Sequence, residues 1–175
     1  MDDRAELERF CREAHPRLVG ALTHQFGDRW LAEELAQEAL VRACDRWSQV
    51  GAMPSPLAWT FRVALNLGTS SMRRRGAERR ARARHGARRE NHHDPDTADR
   101  LAVTAALARL TDSQRSAVVA RYYLGLTTHE AAEALGTTAL AVRSATHRAM
   151  AVLRDELSVD EVEDDDDTAL EVRDA

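Results

Sequence analysis

Lysine and isoleucine are missing from all 175 residues, and cysteine occurs only twice. Aromatic side chains make up 5% of the chain. Strands draw on β-branched and aromatic residues, whereas the apolar set here is mostly Ala and Leu, so the composition predicts an all-α fold. Cys11 and Cys44 lie far apart, with no CxxC spacing and no nearby His pattern, which argues against a zinc or redox motif and predicts two buried thiols. No run approaches the roughly 20 apolar residues that span a bilayer, and the N-terminus MDDRAELERF has no signal-peptide core. A cytoplasmic protein without membrane insertion is expected. Neither a phosphate-binding loop nor a nucleophile-and-base arrangement occurs, so no enzymatic activity and no cofactor are expected. His92 and His93 are adjacent in a polar stretch without further ligands at suitable spacing, and no metal site is expected.

All 25 basic side chains are therefore arginines, a usage that fits GC-rich codons and also suits bidentate phosphate contacts. The net charge of -4 hides an asymmetry. Residues 155–175 carry eleven acids against one Arg, and residues 1–154 carry 24 Arg against 18 acids. A basic body predicts a polyanionic partner, and the acidic block predicts a disordered, solvated tail. That tail either solubilises the chain or folds back on its basic parts and weakens nucleic-acid binding.

Helical periodicity divides the chain into two small domains. Residues 1–75 hold helices near 5–25, 30–47 and 56–75. Residues 76–97 read as a flexible linker, with nine Arg against Glu78 between positions 73 and 89. Residues 98–157 hold helices near 98–110 and 113–123 and then two shorter ones, and residues 158–175 form the acidic tail. There is no internal repeat.

On the second helix, Leu35, Ala36, Ala39 and Ala43 share one side while Glu34, Gln37, Glu38 and Val41 gather on the other, either as a solvated face or as a binding one. On the third, Trp59, Val63 and Leu67 form a packing stripe beside a row of Arg62, Asn66, Thr69, Ser70 and Arg73. Arginine, amide and hydroxyl groups in a row suit phosphate and base edges. The same row also fits a polar surface whose arginines complement the helix dipole.

In LTTHEAAEALGTTALAVRSATHRAMAVLR, Thr127 and Glu130 make a capping box, Gly136 ends one helix and Thr138 caps the next. Ala132, Gly136 and Val142 supply the small residue, the left-handed turn and the core plug of a helix-turn-helix. Arg143, Ser144, His147 and Arg148 share one side of its second helix, facing a DNA major groove or, in a helical hairpin of other use, solvent.

ELAQEALVRACDRW followed by PLAWTFRVALNLGTSSMRRR resembles region 2 of the extracytoplasmic-function sigma factors, and LARLTDSQRSAVVARYYLGLTTHEAAEALGTTALAVRSATHRAMAVLR resembles their region 4. The matches cover roughly residues 10–75 and 98–155, in the family's order. The resemblance implies an alternative sigma factor that carries core RNA polymerase to promoters. Glu34, Gln37 and Glu38 would face the clamp helices of the largest polymerase subunit, and region 4 would meet the flap of the second-largest. Arg62, Asn66, Thr69, Ser70, Arg73 and Arg74 would meet the minus-10 element, with Asn66 and the loop 48–55 receiving an extruded base. Thr138, Arg143, Ser144, His147 and Arg148 would contact the minus-35 element. An anti-sigma factor is a further implied partner. The chain departs from the family's usual residues at Leu65, Ser70, Leu140, Ala141 and Ala145. A free-standing helix-turn-helix regulator and an inactive sigma-like adaptor are the rival functions, and the first leaves the Glu34, Gln37 and Glu38 face unexplained.

Overall fold

The computed structural model describes the backbone of residues 3–83 and 98–163 and the side chains of residues 3–74 and 102–156. Within these bounds the chain is helical throughout. The order is α1 (Asp3–Phe26), α2 (Arg29–Asp45), α3 (Trp47–Val50), α4 (Pro56–Ala83), α5 (Ala98–Ala108), α6 (Asp112–Val118), α7 (Thr128–Leu135) and α8 (Ala139–Glu163). A π-helical stretch, Val119–Tyr123, continues α6, and the Leu124 N–H donates to the Val119 carbonyl at 3.0 Å across its wider turn.

Local chemistry sets the helix ends. The Asp28 carboxylate caps α2 by accepting from the Leu31 N–H at 3.0 Å. Thr127 and Glu130 form the expected capping box on α7, and Gly136 ends that helix with φ 63°, a left-handed conformation that a side chain would strain. The Thr138 hydroxyl accepts from the Ala141 N–H at 3.1 Å to start α8. A second capping box, Thr111 with Gln114, opens α6.

Leu31, Leu35, Ala36, Ala39 and Ala43 are buried on α2, on the side that the periodicity selects. On α4 the deepest residues are Thr60, Phe61 and Ala64, whereas Trp59, Val63 and Leu67 are half-buried. The stripe is displaced because α4 packs against α1 and α2 on one flank and α7 on another. α4 also runs on to Ala83, so the stretch read as linker begins as helix, and α8 runs on to Glu163 beyond the expected domain end. Residues 84–97 and 164–175, which hold most of the expected linker and tail, lie outside the described residues. The short helix α3 occupies part of the loop 48–55.

One core runs through both helical groups. Leu18, Leu22, Leu35, Phe61 and Ala64 from the first share it with Val119, Leu124, Leu126, Ala132 and Val142 from the second. Polar groups lock the seam. The Arg115 guanidinium donates to the carbonyls of Leu107 at 2.8 Å and Leu110 at 2.9 Å, and reaches across to the Gln25 carbonyl at 3.2 Å. The buried Gln25 side chain accepts from the Ser116 hydroxyl at 3.1 Å. Arg17 donates to the Leu124 carbonyl, and His24 meets Tyr123 edge to face at 4.9 Å.

Two stability outcomes follow from these contacts. Arg115→Lys keeps the charge but loses the planar fork, leaving part-buried carbonyls without a donor; urea unfolding is expected to show a loss of about 1–3 kcal/mol. The Glu130 carboxyl is held below its ordinary 4.5, first by the Thr127 hydroxyl and then by the Thr127 N–H; burial opposes them, and Ser55 and the charge of Arg121 add smaller downward pulls. Its contribution is therefore complete above the ordinary carboxyl value and disappears as pH falls through the lowered one. Urea midpoints of the wild type and Glu130→Ala are expected to differ at neutral pH and to converge in acid.

Candidate nucleic-acid interface

Glu34, Gln37 and Glu38 are all exposed on α2, opposite its buried Leu and Ala. Glu38 pairs with Arg42 one turn on, at 2.9 Å. Beside them stand two exposed apolar residues, Trp30 at 75% and Val41 at 54% of full exposure. An exposed row of acids and an amide flanked by large apolar groups has the composition of a protein-docking face. Trp30 stands one turn before Glu34 and two before Gln37, on the same face as that row, a placement that helical spacing alone could have shown.

Arg62, Asn66, Thr69, Ser70, Arg73 and Arg74 are exposed along α4. Part of this row faces the second helical group. The Arg62 guanidinium donates to the Glu133 carbonyl at the end of α7 at 3.2 Å. Asn66, Thr69 and Arg73 line an open cleft of about 620 Å³ whose far wall is Asp112, Arg115, Ser116, Ala134 and Leu135. Ser55, in the loop before α4, stands near enough to the Glu130 carboxyl to help lower its pKa. Arg62 therefore touches α7, and Asn66, Thr69 and Arg73 face α6 across the cleft.

The helix-turn-helix presents its second helix differently. Arg143, His147 and Arg148 are exposed on α8, Ser144 is half-exposed, and Thr138 is exposed at the helix start, where it also makes the cap. Leu140, 66% exposed, sits one turn ahead of Arg143 and Ser144 and extends their row. Ala145 does not belong to this surface: it is 8% exposed and packs in the shared core, so a small side chain is required there. Val142 is buried at the crossing of α7 and α8, as the helix-turn-helix spacing predicts.

Among the described residues no group of His, Cys, Asp and Glu could hold a metal ion. Nor is any helix among them long and apolar enough to cross a membrane. The chemistry on offer is recognition by arginine, amide and hydroxyl donors on two helices and by an acidic and apolar face on a third.

Two family models match the chain. Residues 10–78 match the family model for sigma-70 region 2, and residues 100–153 match that for sigma-70 region 4. The RNA polymerase sigma-E factor of Streptomyces avermitilis is 34% identical over 152 residues, covering 87% of this chain and 85% of that protein. The sigma-E factor of Streptomyces antibioticus is 36% identical over 95% of this chain and 91% of its own length. The ECF RNA polymerase sigma factor SigL of Mycobacterium tuberculosis is 33% identical, covering 73% of this chain and 75% of that one. Among solved structures, the sigma factor RpoE of Bartonella quintana, in complex with the anti-sigma factor NepR, has the same fold: TM-score 0.76 at 24% identity, over 89% of this chain and 98% of that one. With both regions present in order and relatives matched over most of their length, the chain belongs to the extracytoplasmic-function sigma factors, non-catalytic initiation factors of bacterial RNA polymerase.

Proposed function

We propose a residue-level division of labour for this sigma factor. Glu34, Gln37 and Glu38, with Trp30 and Val41 beside them, dock on the clamp helices of the largest polymerase subunit, and region 4 meets the flap of the second-largest. Arg62, Asn66, Thr69, Ser70, Arg73 and Arg74 engage the minus-10 element, with an extruded base received by Asn66 and the loop 48–55. Arg143, Ser144, His147 and Arg148, extended by Leu140 and anchored by Thr138, read the minus-35 element from the major groove. The work is done in the cytoplasm, where polymerase and promoter are, and an anti-sigma factor is the natural antagonist.

The single observation that carries this reading is the presence, in one chain, of an exposed Glu34, Gln37 and Glu38 face on α2 and an exposed Arg143, His147 and Arg148 row on a helix-turn-helix. A free regulator has no use for the first, and a decoy has no use for the second. Promoter-specific transcripts from purified chain, core polymerase and promoter DNA are the expected result. Binding to polymerase without transcripts would point to an adaptor, and operator binding without polymerase to a regulator. Gln37→Ala with Glu34→Arg is expected to weaken core binding and leave duplex affinity unchanged. If Arg148 contacts phosphate, Arg148→Ala lowers the salt slope of duplex binding by about one unit across all sequences; loss of discrimination at one position would make it a base reader instead.

Packing of α4 against α7, with Asn66, Thr69 and Arg73 facing α6 across the cleft, implies that α4 takes up a promoter strand only after region 4 moves away. Gly20 gives a handle on this. A Cβ there would lie 1.8 Å from the Tyr123 hydroxyl and 2.6 Å from its ring carbon, so the whole ring must leave. Gly20→Val, checked for native helix content, is expected to raise the affinity of the isolated chain for a single-stranded minus-10 oligonucleotide several-fold. An unchanged affinity would show that the seam does not gate this face.

A further inference from the structure

Cys11 and Cys44 stand 33 positions apart in the sequence, yet α1 and α2 bring their Sγ atoms to 3.7 Å. Both are free, Cys11 half-buried and Cys44 exposed, so the two buried thiols expected from the sequence are in fact one surface-accessible pair. A disulfide needs a sulfur separation of about 2.05 Å, a closure within reach of side-chain rotation when the helices are already in contact. α1 packs along α2, and close to the thiols Phe10, next to Cys11, also packs on Trp47 at the start of α3, with ring centroids 5.0 Å apart. Cys44 also continues the exposed row of Gln37 and Val41 along α2.

We propose that Cys11 and Cys44 form an oxidation site for hydroperoxides, closing to an intramolecular disulfide that staples α1 to α2. The exposed Cys44 thiolate attacks the peroxide; an S–O bond forms, the O–O bond breaks, and the released alkoxide or hydroxide takes up a proton. Cys44 is now a sulfenic acid. Cys11 then gives up its proton and attacks the Cys44 sulfur; the S–S bond forms, the S–O bond breaks, and water leaves. In sum, two thiols and one hydroperoxide give a disulfide, water and an alcohol, or a second water from hydrogen peroxide.

Cys44 comes first for an electrostatic reason as well as for exposure. Burial, then the hydrogen bond to Cys44 and the charge of Cys44, push the Cys11 thiol up to about 11. Oxidising Cys44 removes its charge, while burial, the largest cause, remains; the 3.7 Å approach of the sulfurs is what makes Cys11 the resolving thiol. A reducing glutathione pool returns the pair to thiols, so the bond forms under oxidant and is not a permanent part of the fold. The modification falls at the edge of the α2 face assigned above to polymerase, although the site itself does not depend on that assignment.

The test treats the full chain with hydrogen peroxide and then blocks remaining thiols. The expected product is a monomer lighter by two hydrogens, with a Cys11–Cys44 cross-linked peptide that disappears on reduction and a higher Tm than the reduced chain. Cys11→Ser is expected to abolish the cross-link and let dimedone trap a sulfenic acid at Cys44; Cys44→Ser is expected to leave Cys11 unreacted at the same dose. Separate oxidation of the two sulfurs, cross-linked dimers through Cys44, or a native chain that stays reduced while its urea-unfolded form cross-links would each overturn the proposal.

Discussion

The seam between the two helical groups depends on one guanidinium. Arg115 lies where α5 ends, where α6 begins and where α1 terminates, and those helix ends leave carbonyls with no partner inside their own helices. A fixed fork of donors satisfies Leu107, Leu110 and Gln25 together, which neither a single amide nor water could do in that part-buried space. The apolar contacts of Val119, Leu124 and Leu126 with Leu18 and Leu22 give the seam its area. Arg115 fixes its register, because a shift of either helix end would strand polar groups away from water.

That seam makes the two proposed nucleic-acid surfaces unequal. The row on α8 points to solvent and is complete as it stands. The row on α4 is turned towards α6 and α7, and Arg62 already spends a donor on Glu133. A residue type suited to phosphate is equally suited to the free carbonyls at a helix end, since both offer oxygen lone pairs to a guanidinium. On the proposed role of Arg62 in DNA binding, competition between these two acceptors would couple the position of region 4 to the availability of region 2.

What could be read in the sequence follows from the range of the forces involved. The buried side of α2, the Thr127 and Glu130 box, the Gly136 turn and the Val142 plug depend on residues within a few positions of each other, and each stands where the pattern placed it. The resemblance to the sigma factors was legible for the same reason, since its motifs are local. Contacts across the chain were not. Helical spacing puts Arg62, Asn66 and Thr69 on one side of α4 but does not say what lies opposite, and it cannot show that α4 is covered on two flanks, which is why Phe61 is deeper than Trp59. The burial of Ala145 and the pairing of the two thiols were hidden on the same ground: burial and proximity are set by the approach of a second helix.

The π-helical turn at Val119–Tyr123 has an evolutionary consequence. A turn of this kind is equivalent to one residue inserted into an α-helix, and each residue advances the helix by about 100°. Loss of one residue between Val119 and Tyr123 would restore regular α-helix and re-space the side chains of this turn, among them Tyr123, which here meets Gly20 and His24. A relative with the shorter helix could keep both DNA-reading domains intact and yet lack the aromatic clasp between them, so this one-residue length difference offers a simple way for sigma factors of the same fold to differ in how readily their two halves part.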